Sequence, residues 1–401
     1  VSRSARAPFA GGDADSRSPF ISRDGSVVVF SSTASDLVPG QEDRFNTSDV
    51  FLWDRRTGRT TLVSRAHASR TRAGTGQSLL GGVSADGNVV AFDSNSPGLV
   101  ARQLDPKGNR DVFLWDRRTG ATALVSHNGL RPSRAGNELS RFSSMTPDGA
   151  FIAFDSYASD LVLPIRDLNA KPDAFLYERR TGRISLLGRT GGGQPLISVN
   201  GRFAAFVTEA TALAYSLVLL DRATGNALEI ASSGQTLPFL RGLSEDGRWL
   251  LLASDAPDLV PGQIDQEDTS DLFLFDRVAR QLRLVSHVPG DPLRTTGRDV
   301  QFARLSPNGR WAAFQSDSPL LLPAAGPDPI LNVFLYDRTT EDAALVSRSA
   351  SDPGQGGNGP SSGLLDVLDG GIVAFASQAS NLVARDFNFG NIDVFVYVPP
   401  D

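Results

Sequence analysis

A two-residue turn followed by an apolar run recurs seven times along the 401-residue chain. Each turn is Asp-Gly or Asn-Gly, and the turns begin at Asp24, Asp86, Asp148, Asn200, Asp246, Asn308 and Asp369. Successive turns are 62, 62, 52, 46, 62 and 61 residues apart. Six residues after the start of each turn stands a Phe, except in the fifth copy, where Leu252 takes that place. A period of this length indicates a repeated structural unit, and it constrains the fold more than any other feature.

A second signature begins 24 or 25 residues after each turn whose copy is complete. Asp49–Gly58 and Asp111–Gly120 both read Asp-Val-Phe-Leu-Trp-Asp-Arg-Arg-Thr-Gly, and a short alternating strand such as Thr61–Ser64 follows. Glycine in these turns supplies the positive φ that tight hairpins need. No segment carries a sustained helical apolar period. Each unit therefore predicts four strands joined by hairpins, and the chain is predicted to be all-β.

Seven four-stranded units with tight turns predict a seven-bladed β-propeller rather than a sandwich or a solenoid. We expect one domain over residues 1–401. The predicted blades cover residues 18–64, 80–126, 142–188, 196–232, 240–286, 302–347 and 363–397. The last unit ends without an outer strand, whereas Val1–Ala5 matches Val346–Ala350. We therefore expect residues 1–5 to complete the last blade and close the ring, which would remove exposed strand edges.

These units resemble the TolB-like, WD-repeat-like propellers of bacteria. That family has Ser-x-Asp-Gly-x-x-Val-Ala-Phe, then Asp-Leu-Val, then Asp-Val-Phe-x-x-Asp-Arg-x-Thr-Gly, and Ser84–Phe92 and Asp111–Gly120 carry the pattern almost without change. The resemblance covers the whole chain. It implies a propeller with a binding role in the periplasm or outside the cell. The fourth copy departs from the pattern, because it lacks the long middle loop between Phe206 and Leu217.

Composition narrows the classes of partner and site. The 39 Lys+Arg and 45 Asp+Glu residues give a net charge of −6, which disfavours general binding to nucleic acid. The absence of cysteine excludes disulfides, thiolate catalysis and Cys-based metal sites. No apolar run approaches the roughly 20 residues needed to span a bilayer. Since the chain begins at Val1 without a leader, we expect a processed or trimmed protein, and the resemblance to TolB-like propellers implies that it is extracytoplasmic.

Two classes of long connection are predicted to share one face of the propeller. The second-to-third strand loops, such as Thr33–Ser48 and Ser94–Arg110, are long, as are the linkers between blades, such as Arg65–Gly76. The other connections are tight turns. Because binding residues often lie on loops held by a rigid scaffold, we expect this loop-rich face to carry the function.

An acidic spacing recurs within the long middle loops. The pairs are Asp43 and Asp49, Asp105 and Asp111, Asp167 and Asp173, Asp265 and Asp271, and Asp386 and Asp393. Such carboxylates could bind Ca²⁺, which prefers several oxygen ligands from a short loop. The alternative, which the pattern favours, is that the first Asp caps a turn and the second anchors the start of a strand. No residue is assigned a catalytic role.

Three other recurrent positions have structural interpretations. An acid followed by Arg, as in Asp54-Arg55 and Asp116-Arg117, is expected to cap the turn that it opens. The aromatic position of Trp53, Trp115 and Tyr177 is expected to pack between blades. Of the three histidines, two occupy equivalent linker sites where other copies carry Arg, and we expect those sites to be solvated; the two are His127 and His287.

The sequence therefore favours a non-enzymatic, extracytoplasmic binding or assembly propeller. It would engage a protein or cell-envelope component through the loop-rich face or a central funnel. One alternative is a propeller enzyme of the lactonase, quinoprotein or glycoside-hydrolase kind with a metal or acids at the funnel. Another is a structural subunit of a larger complex.

Overall fold

The protein is a seven-bladed β-propeller built from antiparallel sheets in chain order, as the repeats predict. The computed structural model describes residues 1–7, 9–163, 170–189, 194–211, 214–231, 238–265, 269–322, 330–362, 365–384 and 392–399. The chain divides into two compact units, Val1–Ile197 and Ser198–Asp401.

The first unit contains three complete blades, each with strand order 1-2-3-4. Their strands are β1 (Ser16–Ile21), β2 (Val27–Ser32), β3 (Asp49–Asp54) and β4 (Thr60–Leu62); β5 (Ser78–Val83), β6 (Val89–Ser94), β7 (Asp111–Asp116) and β8 (Thr122–Leu124); and β11 (Ser140–Met145), β12 (Phe151–Ser156), β13 (Asp173–Glu178) and β14 (Arg183–Gly188). A small hairpin of β9 (His127–Asn128) and β10 (Arg131–Ala135) links the second and third blades. The unit ends with β15 (Leu196–Ile197), the first strand of the fourth blade.

The second unit continues the fourth blade and contains the remaining three. The strands are β16 (Phe203–Thr211), β17 (Ala214–Asp221) and β18 (Asn226–Ala231); β19 (Phe239–Leu243), β20 (Trp249–Ser254), β21 (Asp271–Asp276) and β22 (Gln281–Leu284); β25 (Ala303–Leu305), β26 (Trp311–Ser316), β27 (Asn332–Asp337) and β28 (Asp342–Leu345); and β29 (Leu365–Val367), β30 (Val373–Ser377) and β31 (Asp393–Tyr397). A hairpin of β23 (His287–Val288) and β24 (Asp291–Thr295) follows the fifth blade, and a short 3₁₀ helix, Pro319–Leu321, lies in the sixth. Across the described ranges no helix is long and apolar enough to cross a membrane.

The Asp-Gly turn between β5 and β6 shows why these residues recur. The Ser84 hydroxyl donates to the Asp86 carboxylate at 2.7 Å and accepts the Val89 amide at 2.9 Å, which closes the turn. Gly87 has a φ of 67°, and a Cβ at this position would lie 2.5 Å from Val27 of the preceding blade. Glycine is therefore required both by the backbone and by packing between blades.

Stacked phenylalanines fill the middle of most blades. Phe92 on β6 and Phe113 on β7 are fully buried, with ring centroids 5.6 Å apart. They belong to a core that also includes Val27 and Val29 of the first blade. In the fifth blade Leu252 occupies the equivalent position and pairs with Phe273. Neighbouring blades of one unit thus share an apolar core, and the predicted Phe position is its centre.

The described part of the last blade's sheet has three strands, β29–β31, and the completion of this blade by residues 1–5 stays a prediction. Val1–Ala5 forms no strand; Arg3 makes an isolated bridge to Gly11, as Arg348 does to Gly356. Val1–Ala5 and Val346–Ala350 are therefore equivalent in structure as well as in sequence. Val1 corresponds to Val346, which lies immediately after β28, so Val1–Ala5 matches the start of a linker rather than an outer strand.

Candidate functional site

The long middle loops are joined to the linkers that follow them. Three described blades repeat the same parallel bridge, between Glu42 and Arg72, Leu104 and Arg134, and Ile264 and Arg294. In the first, the Glu42 amide donates to the Thr71 carbonyl at 2.9 Å and the Ala73 amide donates to the Glu42 carbonyl at 3.0 Å. In these three blades the middle loop is therefore hydrogen-bonded to the linker that follows it.

A glutamine in each of these loops holds its shape. The Gln41 side-chain oxygen accepts the Leu37 and Val38 amides at 3.0 and 3.1 Å, and its amide nitrogen donates to the Ala34 carbonyl at 2.8 Å. Gln103 and Gln263 make equivalent contacts in the second and fifth blades. The glutamine side chains therefore satisfy backbone groups of these loops within the chain itself.

The first linker forms a small hairpin that contacts the loops of two blades. Arg65 forms an antiparallel bridge with Ala73 across the hairpin. The hairpin also contacts the middle loop of the second blade, where the His67 amide donates to the Gly98 carbonyl at 2.8 Å. We call residues 65–73 the first linker hairpin. It is anchored both to the middle loop of its own blade and to that of the next.

Two cavities flank this hairpin, both within the first unit. The larger has a volume of about 790 Å³ and lies between the hairpin and the turn that joins β7 to β8. We call it the arginine groove, since its lining includes Arg65, Arg70, Arg117 and Arg118. The smaller, of about 350 Å³, lies against the middle loop of the first blade and includes Arg44, Phe45 and Arg72.

The arginine groove has an excess of positive charge. No Asp or Glu is among its described lining residues. Arg117 forms an ion pair with Asp54, and Arg118 lies 3.3 Å from an Asp86 carboxylate oxygen. Burial, and then the charge of Arg70, lower the pKa of the Arg65 guanidinium. Arg65 and Arg70 therefore make the electrostatic potential of the groove more positive, and no acidic residue of the described groove lining balances their charge.

A cation on the linker clasps the aromatic residue of the next blade. Arg65 lies 5.7 Å from the ring centroid of Trp115 and donates to the Gly120 carbonyl at 2.7 Å. His127 takes the equivalent place: its Nε2 lies 3.0 Å from the Gly182 carbonyl oxygen and its ring packs edge-on against Tyr177. His287 repeats this contact with Glu341 and Tyr336 in the second unit.

The expectation that the linker histidines are solvated is wrong. His127 and His287 are 7% and 5% exposed, because each is covered by the turn of the following blade. The spacing of residues within one repeat does not show that His127 will contact Gly182 of the next blade, 55 residues away. The expectation that the aromatic position packs between blades agrees with these contacts.

We predict that His127→Ala lowers the free energy of unfolding by about 1–3 kcal/mol, the cost of unmaking buried hydrogen bonds. His127→Arg should recover most of this loss, because Arg65 makes the equivalent contact with Gly120. The measurement is the urea denaturation midpoint. His67→Ala serves as the control, since that side chain is exposed, and equal losses in all three variants would contradict the assignment.

The second Asp of each predicted acidic pair anchors a strand start. Asp49, Asp111 and Asp271 are at most 1% exposed and accept the hydroxyls of Ser64, Ser126 and Ser286 at 2.6–2.8 Å. Burial raises the pKa of Asp49 and Asp111 to about 8 and that of Asp271 to about 7; the serine hydroxyl opposes each shift and a neighbouring Asp adds to it. Asp173, also buried, begins β13, and Asp393 begins the partly exposed β31.

The first Asp of each pair has a more varied environment. Asp105 accepts the Lys107 and Gly108 amides at 3.2 and 2.8 Å, as a turn cap does. Asp43 accepts the Phe45 amide, and Asp265 accepts the Thr295 hydroxyl. Asp167 and Asp386 lie outside the described residues. Within the described ranges no three His, Cys, Asp or Glu residues are grouped to hold a metal ion.

The acids that open the tight turns cap them, as expected. Asp54 accepts the Thr57 amide at 2.8 Å, and Asp116 accepts the Thr119 amide at 3.0 Å. They also form ion pairs with an arginine of the next blade, Arg117 and Arg179 respectively. Sequence reasoning missed these pairs, although their separation of 63 residues, one more than the repeat period, is a signal that could have revealed them.

These features define a β-propeller in which three described middle loops are hydrogen-bonded to the linkers that follow them. No family model and no curated protein matches the sequence. Among solved structures, the β-propeller domain of the Trilobed protease from Pyrococcus furiosus is similar with a TM-score of 0.53 and 10% identity, over 96% of this chain and 94% of that one. An oligogalacturonate lyase in complex with manganese has a TM-score of 0.53 and 13% identity, over 99% and 95%.

TolB proteins are also among the structural neighbours. TolB from Acinetobacter baumannii is 16% identical with a TM-score of 0.37, over 67% of this chain and 53% of TolB, so the match spans about half of that protein. At such identities the comparisons establish the propeller fold alone. Function has to be argued from the surface of this chain.

Proposed function

We propose that the protein is an extracytoplasmic binding propeller that engages a protein or cell-envelope partner through its loop-rich face. The observation that carries the proposal is the repeated bridge between middle loop and linker, reinforced by the glutamine of each loop. A surface ordered in advance loses little conformational entropy on association, which favours binding. The extracytoplasmic location rests on the sequence resemblance to TolB-like propellers.

The exposed residues of this surface in the first unit suit a protein partner. Phe45, Leu104 and Leu130 are 55%, 53% and 75% exposed, and all three lie in the loops or linkers of the first two blades. Arginines stand beside them, with Arg72 and Arg134 at the two loop–linker bridges. Aromatic residues and arginine are enriched in the centres of protein interfaces, and the exposed leucines add apolar contact area around Phe45.

The proposal predicts that the triple variant Phe45→Ser, Leu104→Ser, Leu130→Ser reduces partner capture at least about tenfold, because a few residues carry most of the binding energy of an interface. Val278→Ser is the matched control: Val278 is 64% exposed but lies in the tight turn between β21 and β22. The untagged protein is isolated from its source to identify what accompanies it, and capture by each variant is then quantified by native mass spectrometry.

Two results would overturn the proposal. In one, the triple variant captures the partner as well as the wild type and Val278→Ser does not. In the other, the isolated protein carries no partner and turns over a lactone, a glycoside or a uronate substrate, as the enzymatic alternative requires. A fixed stoichiometric complex that survives the triple variant would favour the structural-subunit alternative instead.

A further inference from the structure

We infer that the arginine groove binds the carboxylates of an acidic peptide segment of the partner. This inference rests on the proposed function, and it assigns a ligand chemistry to one site in the first compact unit. The groove is a concave site of about 790 Å³ that lies between the first linker hairpin and the turn after β7. That volume accommodates several residues of an extended peptide.

The hydrogen-bond donors of the groove are not all used. Arg70 is exposed and forms no ion pair within the described chain. Trp115, which contributes to the lining, is 2% exposed, and its indole Nε1 has no acceptor among the residues that the structure describes. By contrast, the indole N–H of Trp311, which lies at a different position at the start of β26 in the second unit, donates to the Asp369 carbonyl at 3.0 Å. A buried donor without an acceptor and a guanidinium without an ion pair, both in the described lining of one groove, favour a ligand that supplies acceptor oxygens.

Only the first of three comparable linkers combines these arginines. Aligning the linkers on their bridges places His127 and His287 where the first has Arg65. The same alignment places Pro132 and Pro292 where the first has Arg70. The clasp between blades thus needs one cation or histidine, and it does not need Arg70. The second arginine is therefore available for a ligand.

A carboxylate ligand fits this site better than a nucleic acid or an anionic membrane. Arginine forks pair with carboxylate and phosphate alike. A long polyanion would also approach a chain whose net charge is −6, which repels it outside the groove. A short acidic segment presents its charge only where the arginines lie.

The test is binding of fluorescein-labelled hexaglutamate to the full chain, followed by fluorescence anisotropy. Arg70→Gln should weaken binding about tenfold, since it removes one charge-assisted contact from a side chain with no structural partner. Trp115→Phe should weaken binding by several-fold while keeping the ring that packs under Arg65. Arg180→Gln, at the site equivalent to Arg118 in the next blade, is the control and should bind within about twofold of wild type.

Three outcomes would overturn the inference. Hexaglutamine that binds as well as hexaglutamate would show that charge is not recognised. Inorganic phosphate that displaces hexaglutamate at a lower concentration than free glutamate does would assign the groove to phosphate. Equal losses in Arg70→Gln and Arg180→Gln would show that only the general surface charge matters.

The inference and the proposed function can fail separately. If Arg70→Gln captures the natural partner normally and the Phe45, Leu104, Leu130 variant does not, the loop face binds the partner and the groove inference is wrong. If no partner is captured but hexaglutamate binding depends on Arg70, the groove is an anion site and the proposed function is wrong.

Discussion

Asp49→Asn is expected to raise the free energy of unfolding at pH 8 by about 1–3 kcal/mol, the cost of a buried polar group left unsatisfied. Asp49 is fully buried, and its Oδ2 has no hydrogen-bond partner among the described residues. The sixth blade already carries the substitution: Asn332 accepts the Ser347 hydroxyl at 2.9 Å and donates to the Ile330 carbonyl at 2.9 Å. In the first blade the Thr47 carbonyl, two residues before position 49, corresponds to the Ile330 carbonyl and is the expected acceptor for the side-chain amide of an Asn at position 49.

The gain should depend on pH. Burial raises the pKa of Asp49 to about 8, above the ordinary 3.8, so the folded state holds the proton more tightly than the unfolded state. The contribution of the wild-type side chain is therefore fully present below pH 4 and is lost as pH rises towards 8. Asn does not titrate, so the two proteins should have similar stability at pH 4 and differ most at pH 8.

Urea denaturation of both proteins at pH 4, 6 and 8, in the presence of a chelator and then of Ca²⁺, checks this prediction. Asp111→Asn and Asp271→Asn should behave in the same way, since burial raises the pKa of both carboxyls. If Ca²⁺ stabilises the wild type and Asp49→Asn abolishes the effect, the carboxylate is a metal ligand and the calcium interpretation of these acids is the correct one.

Phe92→Ala is expected to lower the free energy of unfolding by about 3–5 kcal/mol, as large-to-small substitutions of buried phenylalanine do. Phe92 is fully buried and stacks on Phe113 in a core that the first and second blades share. Removing the ring leaves a cavity between two sheets, and the strands on either side are held by their own hydrogen bonds and cannot collapse into it.

Phe92→Leu provides the matched comparison, because the fifth blade uses Leu252 at this position, opposite Phe273. The leucine variant should lose less than about 1.5 kcal/mol. Both variants are compared with the wild type by urea denaturation followed by circular dichroism. A leucine variant as unstable as the alanine variant would mean that the stacked aromatic pair, rather than the filled volume, stabilises the blade.

Contacts within one blade could be predicted from the sequence to a large extent. The Asp-Gly turns, the Phe position and the caps on the tight turns all lie where the repeats indicate, as Ser84, Phe92 and Asp54 illustrate. The interpretation of the second Asp of each acidic pair as a strand anchor also agrees with the hydrogen bonds of Asp49 and Asp271.

Contacts between blades could not be predicted in the same way. The burial of His127 depends on the position of the turn at Gly182, and the arginine groove depends on Arg65 and Arg70 lying opposite the turn after Trp115. The sequence match of residues 1–5 shows the same limit. A sequence match identified the correct equivalent residues, Val346–Ala350, but not whether they form the strand or the linker after it.

The amino-acid sequence by itself determined the number of blades, the four-strand unit and its turns. Hairpin pairing is local, and a repeat of about 62 residues carries the same turn and strand motifs in each copy. The tertiary structure alone decided which side chains of neighbouring blades meet. Those contacts depend on how each twisted sheet packs on the next, and that geometry brings together residues some 50 to 60 positions apart that no local pattern connects.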